Sequence, residues 1–113
     1  MHIDSYNFGE ITIDGKVYTS DVIIYKVRVD DSWRRMEGHK LSIADLEDIL
    51  QKNPDILIIG TGEAGVMKVP PDVISALEAK GIKVIVMKTG DACKEYNKIS
   101  TSANVAAALH LTC

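Results

Sequence analysis

Cysteine and histidine, which most often build disulfide frameworks and metal sites, are scarce in this chain. Its 113 residues include two cysteines, Cys93 and Cys113, and three histidines, His2, His39 and His110. Two cysteines give no disulfide framework, and no two histidines share the short spacing of a metal-binding motif. We therefore expect reduced thiols, as in a cytoplasm, and no metal site.

Long apolar runs and an excess of positive charge are also missing. No stretch approaches the length that spans a bilayer, and Met1–Asn7 lacks the apolar segment of a secretory signal. The formal net charge of -3 gives no reason to expect nucleic acid or anionic lipid as a partner. With 46% hydrophobic residues the composition is that of an ordinary globular protein, so we expect one cytoplasmic domain over residues 1–113.

The first part of the chain predicts short strands. In Phe8–Tyr18, alternating apolar residues flank Asp14-Gly15, a dipeptide that favours a tight hairpin turn because glycine accepts a positive φ. Asp21–Val29 predicts a strand with one buried and one half-exposed end. Asp30–Lys40 has no periodicity, so we expect a long polar connection, or a short extra strand around Trp33.

The strongest pattern follows a predicted helix over residues 42–53. Ile56–Ile59 and Ile82–Met87 are apolar strands, and Pro70–Lys80 between them is a helix that Gly81 ends. Because both strands are apolar on both faces, we expect them to lie parallel in a sheet that is covered on each side.

The last part predicts another helix over Thr89–Asn97, with Thr89 or Asp91 as its cap. Val105–Leu111 is open to two interpretations, since its alanines favour a helix while its larger residues alternate as in a strand. We prefer the strand, which can fill the interior of the sheet.

Residues 60–65 read GTGEAG and match the dinucleotide pattern G-x-G-x-x-G after a predicted strand. In a nucleotide site the glycines open a helix whose amides hold phosphate, and an acidic residue ends the next strand. Here Val66–Val69 separates the glycines from the helix, Pro70 and Pro71 remove two donors, and no carboxylate ends the second strand. We therefore expect a structural turn or a simple anion pocket, and no cofactor.

Polar residues follow both predicted parallel strands, where ligands of open parallel sheets collect. If the connection folds over the strand ends, two arginines and a histidine add positive charge there; the alternative is an ordinary solvated arginine pair. The candidate cleft or contact surface consists of Trp33, Arg34, Arg35, His39, Gly60, Thr61, Gly62, Glu63, Thr89 and Asp91.

No catalytic residue stands out. Cys93 is expected in the first turn of a helix, where the dipole lowers a thiol pKa, but no histidine is tied to it by sequence. There is no G-x-S-x-G elbow. His110 is expected to be a hydrogen-bonded core or edge residue rather than a base.

Several segments together resemble a family of small domains of uncharacterised activity that includes mitochondrial complex I assembly factor three and a cytosolic adipogenesis-associated protein. They are FGEITIDGKVY, the Trp33–His39 region, PDILIIGTGEAGVMKVP, KEYN and AAALHLTC, so the resemblance runs from about Ile3 to Cys113. The chain resembles a short prokaryotic or archaeal member without a mitochondrial presequence. The resemblance implies a three-layer α/β fold, with a central mixed, mostly parallel sheet, flanking helices and a small N-terminal β layer. It carries over no catalytic residue.

Three hypotheses for function remain. The first is a non-catalytic interaction or assembly module with a protein partner, which contacts it through the Trp33 connection and the Gly60–Gly65 rim. The second is a site for a small anionic ligand, enzymatic or not, at the strand ends. The third is a homo-oligomer that pairs through an exposed strand edge or apolar patch.

Overall fold

A computed structural model describes residues 1–113, which form eight strands, three α-helices and one 3-10 helix. The elements in chain order are β1 (Ile3–Asn7), β2 (Glu10–Ile13), β3 (Lys16–Tyr18), β4 (Val22–Ile24), β5 (Val29–Asp30), the 3-10 helix (Ile43–Leu46), α1 (Glu47–Lys52), β6 (Ile56–Gly60), α2 (Pro71–Ala79), β7 (Lys83–Met87), α3 (Thr89–Ile99) and β8 (Val105–Leu109).

The N-terminal hairpin forms as predicted. Asp14 and Gly15 have φ values of 48° and 80°, the pair of positive angles that a type I′ turn needs, and they connect β2 to β3. β1 pairs antiparallel with β2 and completes a small three-stranded sheet. This is the additional β layer that the family resemblance implied.

A second, five-stranded sheet has the order β5-β4-β8-β6-β7. β6 pairs in parallel with both β7 and β8, which confirms the parallel strands of the sequence analysis and the strand assignment of the last segment. β4 is antiparallel to its neighbours β8 and β5, so it alone runs opposite to the other four strands. The sheet is therefore mixed and mostly parallel.

Apolar side chains leave this sheet on both faces because successive residues of a strand point in opposite directions. On one face Leu57 and Ile59 pack with Leu46 and Ile49 of the α1 region and with Leu77 of α2. On the other face α3 and the small sheet pack against the strands through Ile11, Ile13, Ile58, Ala92, Tyr96 and Ala107. The result is the expected three-layer α/β domain.

Two local predictions were wrong. The predicted strand over Asp21–Val29 is interrupted, because the Tyr25 N–H donates to the Arg28 carbonyl at 2.8 Å and closes a turn between β4 and β5. Neither Thr89 nor Asp91 caps α3: the cap position is Lys88, and no side chain bonds there. The Thr89 hydroxyl instead bonds to the Gly62 N–H and the His110 carbonyl.

β7 departs from prediction in its burial. It is the last strand of the sheet and pairs on one side only, so Val86 is exposed and its neighbours are half-buried. Four consecutive apolar residues predict a covered strand, but the helices do not cover this edge completely.

Candidate functional site

The connection over residues 30–40 and the loop over residues 60–69 lie side by side at the carboxyl end of β8. The Leu41 N–H donates to the Lys68 carbonyl at 2.8 Å, and the Lys68 N–H donates to the His39 carbonyl at 2.7 Å. Most of the candidate residues from the sequence analysis belong to these two segments. The structure therefore brings the predicted arginines and the glycine loop into one region.

Trp33 lies in the core rather than on the surface. Its side chain packs with Leu41, Leu46 and Met67, only 8% of the residue is exposed, and its indole N–H donates to the Asp45 carbonyl at 2.9 Å. Since buried aromatic side chains contribute several kcal/mol to stability, Trp33 holds the connection in place. Its ring is not available as a contact for a partner.

Arg35 is the second buried anchor of the connection. Its side chain is 6% exposed, and Nη2 donates to Asp21 Oδ2 at 2.7 Å and to the Gly38 carbonyl at 3.1 Å. The guanidinium carbon stands 4.7 Å from the centre of the Trp33 ring. Nε and Nη1 are buried and have no protein partner.

His110, directly after β8, completes this cluster. Its Nδ1 lies 2.8 Å from Asp21 Oδ2 and 3.0 Å from Arg35 Nη2. Because the two Nη2 hydrogens are already directed at Asp21 and Gly38, Nδ1 is the nitrogen that carries a proton and donates to Asp21. This agrees with the prediction that His110 is a hydrogen-bonded core residue.

Asp21 accepts hydrogen bonds from three directions. Besides His110 and Arg35, the Leu111 N–H donates to Oδ1 at 2.7 Å. Burial raises the pKa of Asp21, but the bonds from His110, Leu111 and Arg35 outweigh it and hold the pKa below the ordinary value. The carboxylate is thus ionised and joins the start of β4, the end of β8 and the connection.

Between and after these anchors the connection presents side chains to solvent. Arg34, Met36, Glu37 and His39 are exposed, and Met36 is 82% exposed. The His39 ring meets the His110 ring edge-on, with 5.8 Å between the centroids. We call these four residues the connection surface.

The glycine loop is occupied by the chain's own backbone. The Glu63 N–H donates to the Thr112 carbonyl at 2.7 Å, and the Val66 N–H donates to the Cys113 carbonyl at 3.0 Å. Gly62 has φ +103°, and a Cβ there would lie 2.3 Å from the Cys113 carbonyl carbon. The loop is therefore a structural turn, one of the two expectations for the GTGEAG segment, and the close backbone approach that Gly62 allows is made by residues 112–113.

Thr89 links the strand ends from the inside. Its hydroxyl accepts a bond from the Gly62 N–H at 2.8 Å and donates to the His110 carbonyl at 2.6 Å. Thr61 Oγ1 donates to the Met87 carbonyl at 3.1 Å. Together with Gly60, which is buried, these predicted site residues form a closed structural junction.

Asp91 lies apart from the others. It is exposed in the first turn of α3 and is the only predicted site residue that lines a cavity, a space of about 360 Å³ between α3 and β1. Cys93 lines the same cavity, but its thiol is buried, and burial raises its pKa to about 12. A thiol with such a pKa is protonated at neutral pH and is a poor nucleophile.

Two residues of this region, Asp21 and Met36, were not predicted from the sequence. No local pattern connects Asp21 to residues at the other end of the chain, so no signal could have found it. Met36 did have a signal, because it is, with Trp33, one of two apolar residues in the otherwise polar run DDSWRRMEGHK.

The molecule is a single-domain mixed α/β protein. Its buried polar cluster of Asp21, Arg35 and His110 holds the surface connection over residues 30–40 in place. Residues 3–110 match the family model described as "Protein of unknown function (DUF498/DUF598)", and the chain belongs to this family. No helix is both long and apolar enough to cross a membrane.

Similar proteins agree with the family resemblance. One from Francisella tularensis subsp. holarctica, named "13 kDa major membrane protein", is 34% identical over 80% of this chain and 68% of its own length. NADH dehydrogenase (ubiquinone) 1 alpha subcomplex assembly factor 3 from Xenopus tropicalis is 27% identical over 96% of this chain, which spans only 59% of that relative. The crystal structure of a conserved hypothetical protein from Pyrococcus horikoshii OT3 is 31% identical, with full coverage of both chains and a TM-score of 0.87.

Proposed function

We propose that this domain is a non-catalytic protein-interaction module that contacts its partner through the connection surface and the adjacent rim over residues 60–65. The observation that carries the proposal is the exposed Met36 directly after two buried anchors, Trp33 and Arg35. A segment with no helix or strand of its own is thereby fixed in one conformation, with an apolar side chain turned to solvent.

Such an arrangement favours binding for two physical reasons. A segment that is already ordered loses little conformational entropy when a partner binds. The exposed side chains also suit an interface, because arginine and methionine are enriched in interface cores and an unbranched thioether adapts to irregular surfaces. Arg34 and Glu37 on either side supply charges for partner selection.

The alternative of an anionic ligand at the strand ends has less support. The space beyond β6 is filled by residues 112–113, and the Thr89 hydroxyl is already bonded to Gly62 and His110. The Xenopus relative, named as an assembly factor, supports an interaction role for the family.

The test is site-specific photo-crosslinking in lysate of the source organism, with a benzophenone amino acid at position 36. The matched control carries the same group at position 17, since Val17 is also exposed but lies on β3 in the opposite layer. We expect one defined protein to be crosslinked from position 36 only. Light scattering of the pure protein identifies the case in which that partner is a second copy.

Affinity measurements with the captured partner complete the test. We expect Met36→Asp and Arg34→Glu each to weaken binding by about tenfold or more, equivalent to about 1.4 kcal/mol. Val17→Asp should leave the affinity unchanged. Trp33→Ala is unsuitable here, because it would unfold the anchor rather than remove a contact. Identical crosslinks from both positions, or unchanged affinity in both surface variants, would rule out this surface.

A further inference from the structure

A cavity of about 190 Å³ lies far from the connection surface, at the edge of the sheet where β6 and β8 begin. The turn between β4 and β5 forms one side of it. The other sides are formed by Lys52 and Pro54 at the end of α1 and by residues 104–106, where β8 begins. None of the candidate residues from the sequence lines this cavity.

Positive charge is concentrated around it. Lys26, Arg28 and Lys52 line the cavity, in a chain whose net charge is -3. Arg28 is paired with Asp48 at 3.0 Å, whereas Lys26 and Lys52 have no carboxylate within 4.0 Å. The nine lining residues include these three cations and no carboxylate, so the rim itself is positively charged, with Asp48 paired to Arg28 beside it.

Arg28 is held in position by its neighbours. Its guanidinium carbon stands 4.4 Å from the centre of the Tyr25 ring, and the Tyr25 hydroxyl donates to Asp48, the same carboxylate that Arg28 contacts. Burial, reinforced by Asp48, raises the pKa of Tyr25, so the hydroxyl remains a donor at neutral pH. A guanidinium fixed in this way loses little freedom on binding an anion.

The walls between these charges are apolar. Val27, Pro54, Val105 and Ala106 line the cavity, and its volume suits a group of about the size of a substituted benzene ring rather than a whole nucleotide. A cavity with cations at its rim and apolar walls matches a small molecule with an anionic head and an apolar body.

We propose that this cavity binds a small phosphate monoester, with the phosphate at Lys26, Arg28 and Lys52 and the apolar part against Val105 and Pro54. The number of cations favours a phosphate over a carboxylate. A phosphate monoester carries a charge of about -1.5 to -2 at neutral pH and three acceptor oxygens, one for each cation, whereas a carboxylate carries a single charge and two oxygens. This site is independent of the proposed interaction surface and lies at the opposite end of β8.

The experiment is a nuclear magnetic resonance titration of the isotope-labelled full chain with phenyl phosphate. We expect saturable shifts of the backbone amides of residues 25–28, 52 and 104–106, and weaker binding of inorganic phosphate and of phenol. Replacing two cations, as in Lys26→Gln with Lys52→Gln, should raise the dissociation constant about tenfold, because the attraction of both lysines to the phosphate is lost.

The matched control is Lys80→Gln with Lys98→Gln, which removes the same charge from residues that do not line the cavity. It should leave the dissociation constant unchanged. Equal weakening by both double variants would mean diffuse electrostatic attraction and overturn the proposal. So would the absence of saturable shifts, or binding of inorganic phosphate as tight as that of phenyl phosphate, because the apolar walls would then contribute nothing.

Discussion

Arg35 Nη2 lies 2.7 Å from Asp21 Oδ2, and this ion pair is nearly excluded from water, with 6% of the arginine side chain and 17% of the aspartate side chain exposed. It fastens an otherwise irregular connection to the first residue before β4. A buried pair of this kind adds little net stability but strongly opposes the loss of either partner. Its effect is therefore on the conformation of the connection, whose exposed side chains we propose as the contact surface.

Arg35→Met is expected to lower the free energy of unfolding by about 3 to 5 kcal/mol, because it leaves the Asp21 carboxylate buried without its cation. Asp21→Asn should be destabilising for the converse reason. The double variant should lose less than the sum of the two, since neither charge is then unpaired. Urea unfolding of the wild type, the two single variants and the double variant measures these free energies. The control is Arg34→Met at an exposed position, whose free energy of unfolding should lie within about 0.5 kcal/mol of the wild type. Additive losses would show that the two side chains do not stabilise each other.

Because Asp21 is ionised in the folded protein, the free energy of unfolding should depend on pH. Hydrogen bonds and Arg35 hold the folded-state pKa of Asp21 below its unfolded value, so the stabilisation is complete above the unfolded pKa. It is lost as the pH falls through the folded-state pKa, below about pH 4 for an aspartate. We expect the stability difference between the wild type and Asp21→Asn to narrow as the pH is lowered from about 5 to about 2. A difference that stays constant over this range would contradict ionisation of Asp21 in the folded state.

The layered fold could be predicted because its signals are local. Asp14-Gly15 specifies a turn by its φ angles alone, and Ile56–Ile59 is too short and too apolar to be anything but a buried strand in its context. The break between β4 and β5 could not be foreseen. It depends on the bond from the Tyr25 N–H to Arg28 and on the contact of Tyr25 with Asp48, and no glycine or proline marks it.

The candidate site was predicted less well, for a physical reason. Arg34 and Arg35 are adjacent and chemically identical, yet one is exposed and the other is buried by Asp21 and Trp33. Which of two neighbours turns inward depends on distant partners that no local pattern contains. For the glycine loop the expected structural turn forms, but the residues that its close backbone approach serves, 112–113, could not be identified from the loop itself.

Gly62→Ala is expected to lower the free energy of unfolding by more than about 1 kcal/mol. At φ +103° a side chain is strained, and the added Cβ would overlap the backbone of Cys113. Gly38→Ala is the matched control, since Gly38 has no positive φ and its Cβ would meet nothing within 4 Å. Thermal or urea unfolding compares the two variants. Equal stability of both would mean that residues 112–113 can move away from the loop without cost.

The two thiols are expected to differ sharply in reactivity. Cys113 is exposed, whereas Cys93 is buried with its pKa raised to about 12, so at pH 8 only Cys113 should react quickly with Ellman's reagent. Cys113→Ser should then show almost no reaction until denaturant is added, and Cys93→Ser should react as fast as the wild type. Because reaction at Cys93 requires the contact between α3 and the small sheet to open, its rate in the Cys113→Ser variant also measures how often those layers separate. Rapid labelling of Cys93 in the folded protein would contradict the packing of α3 described above, and it would restore Cys93 as a candidate nucleophile.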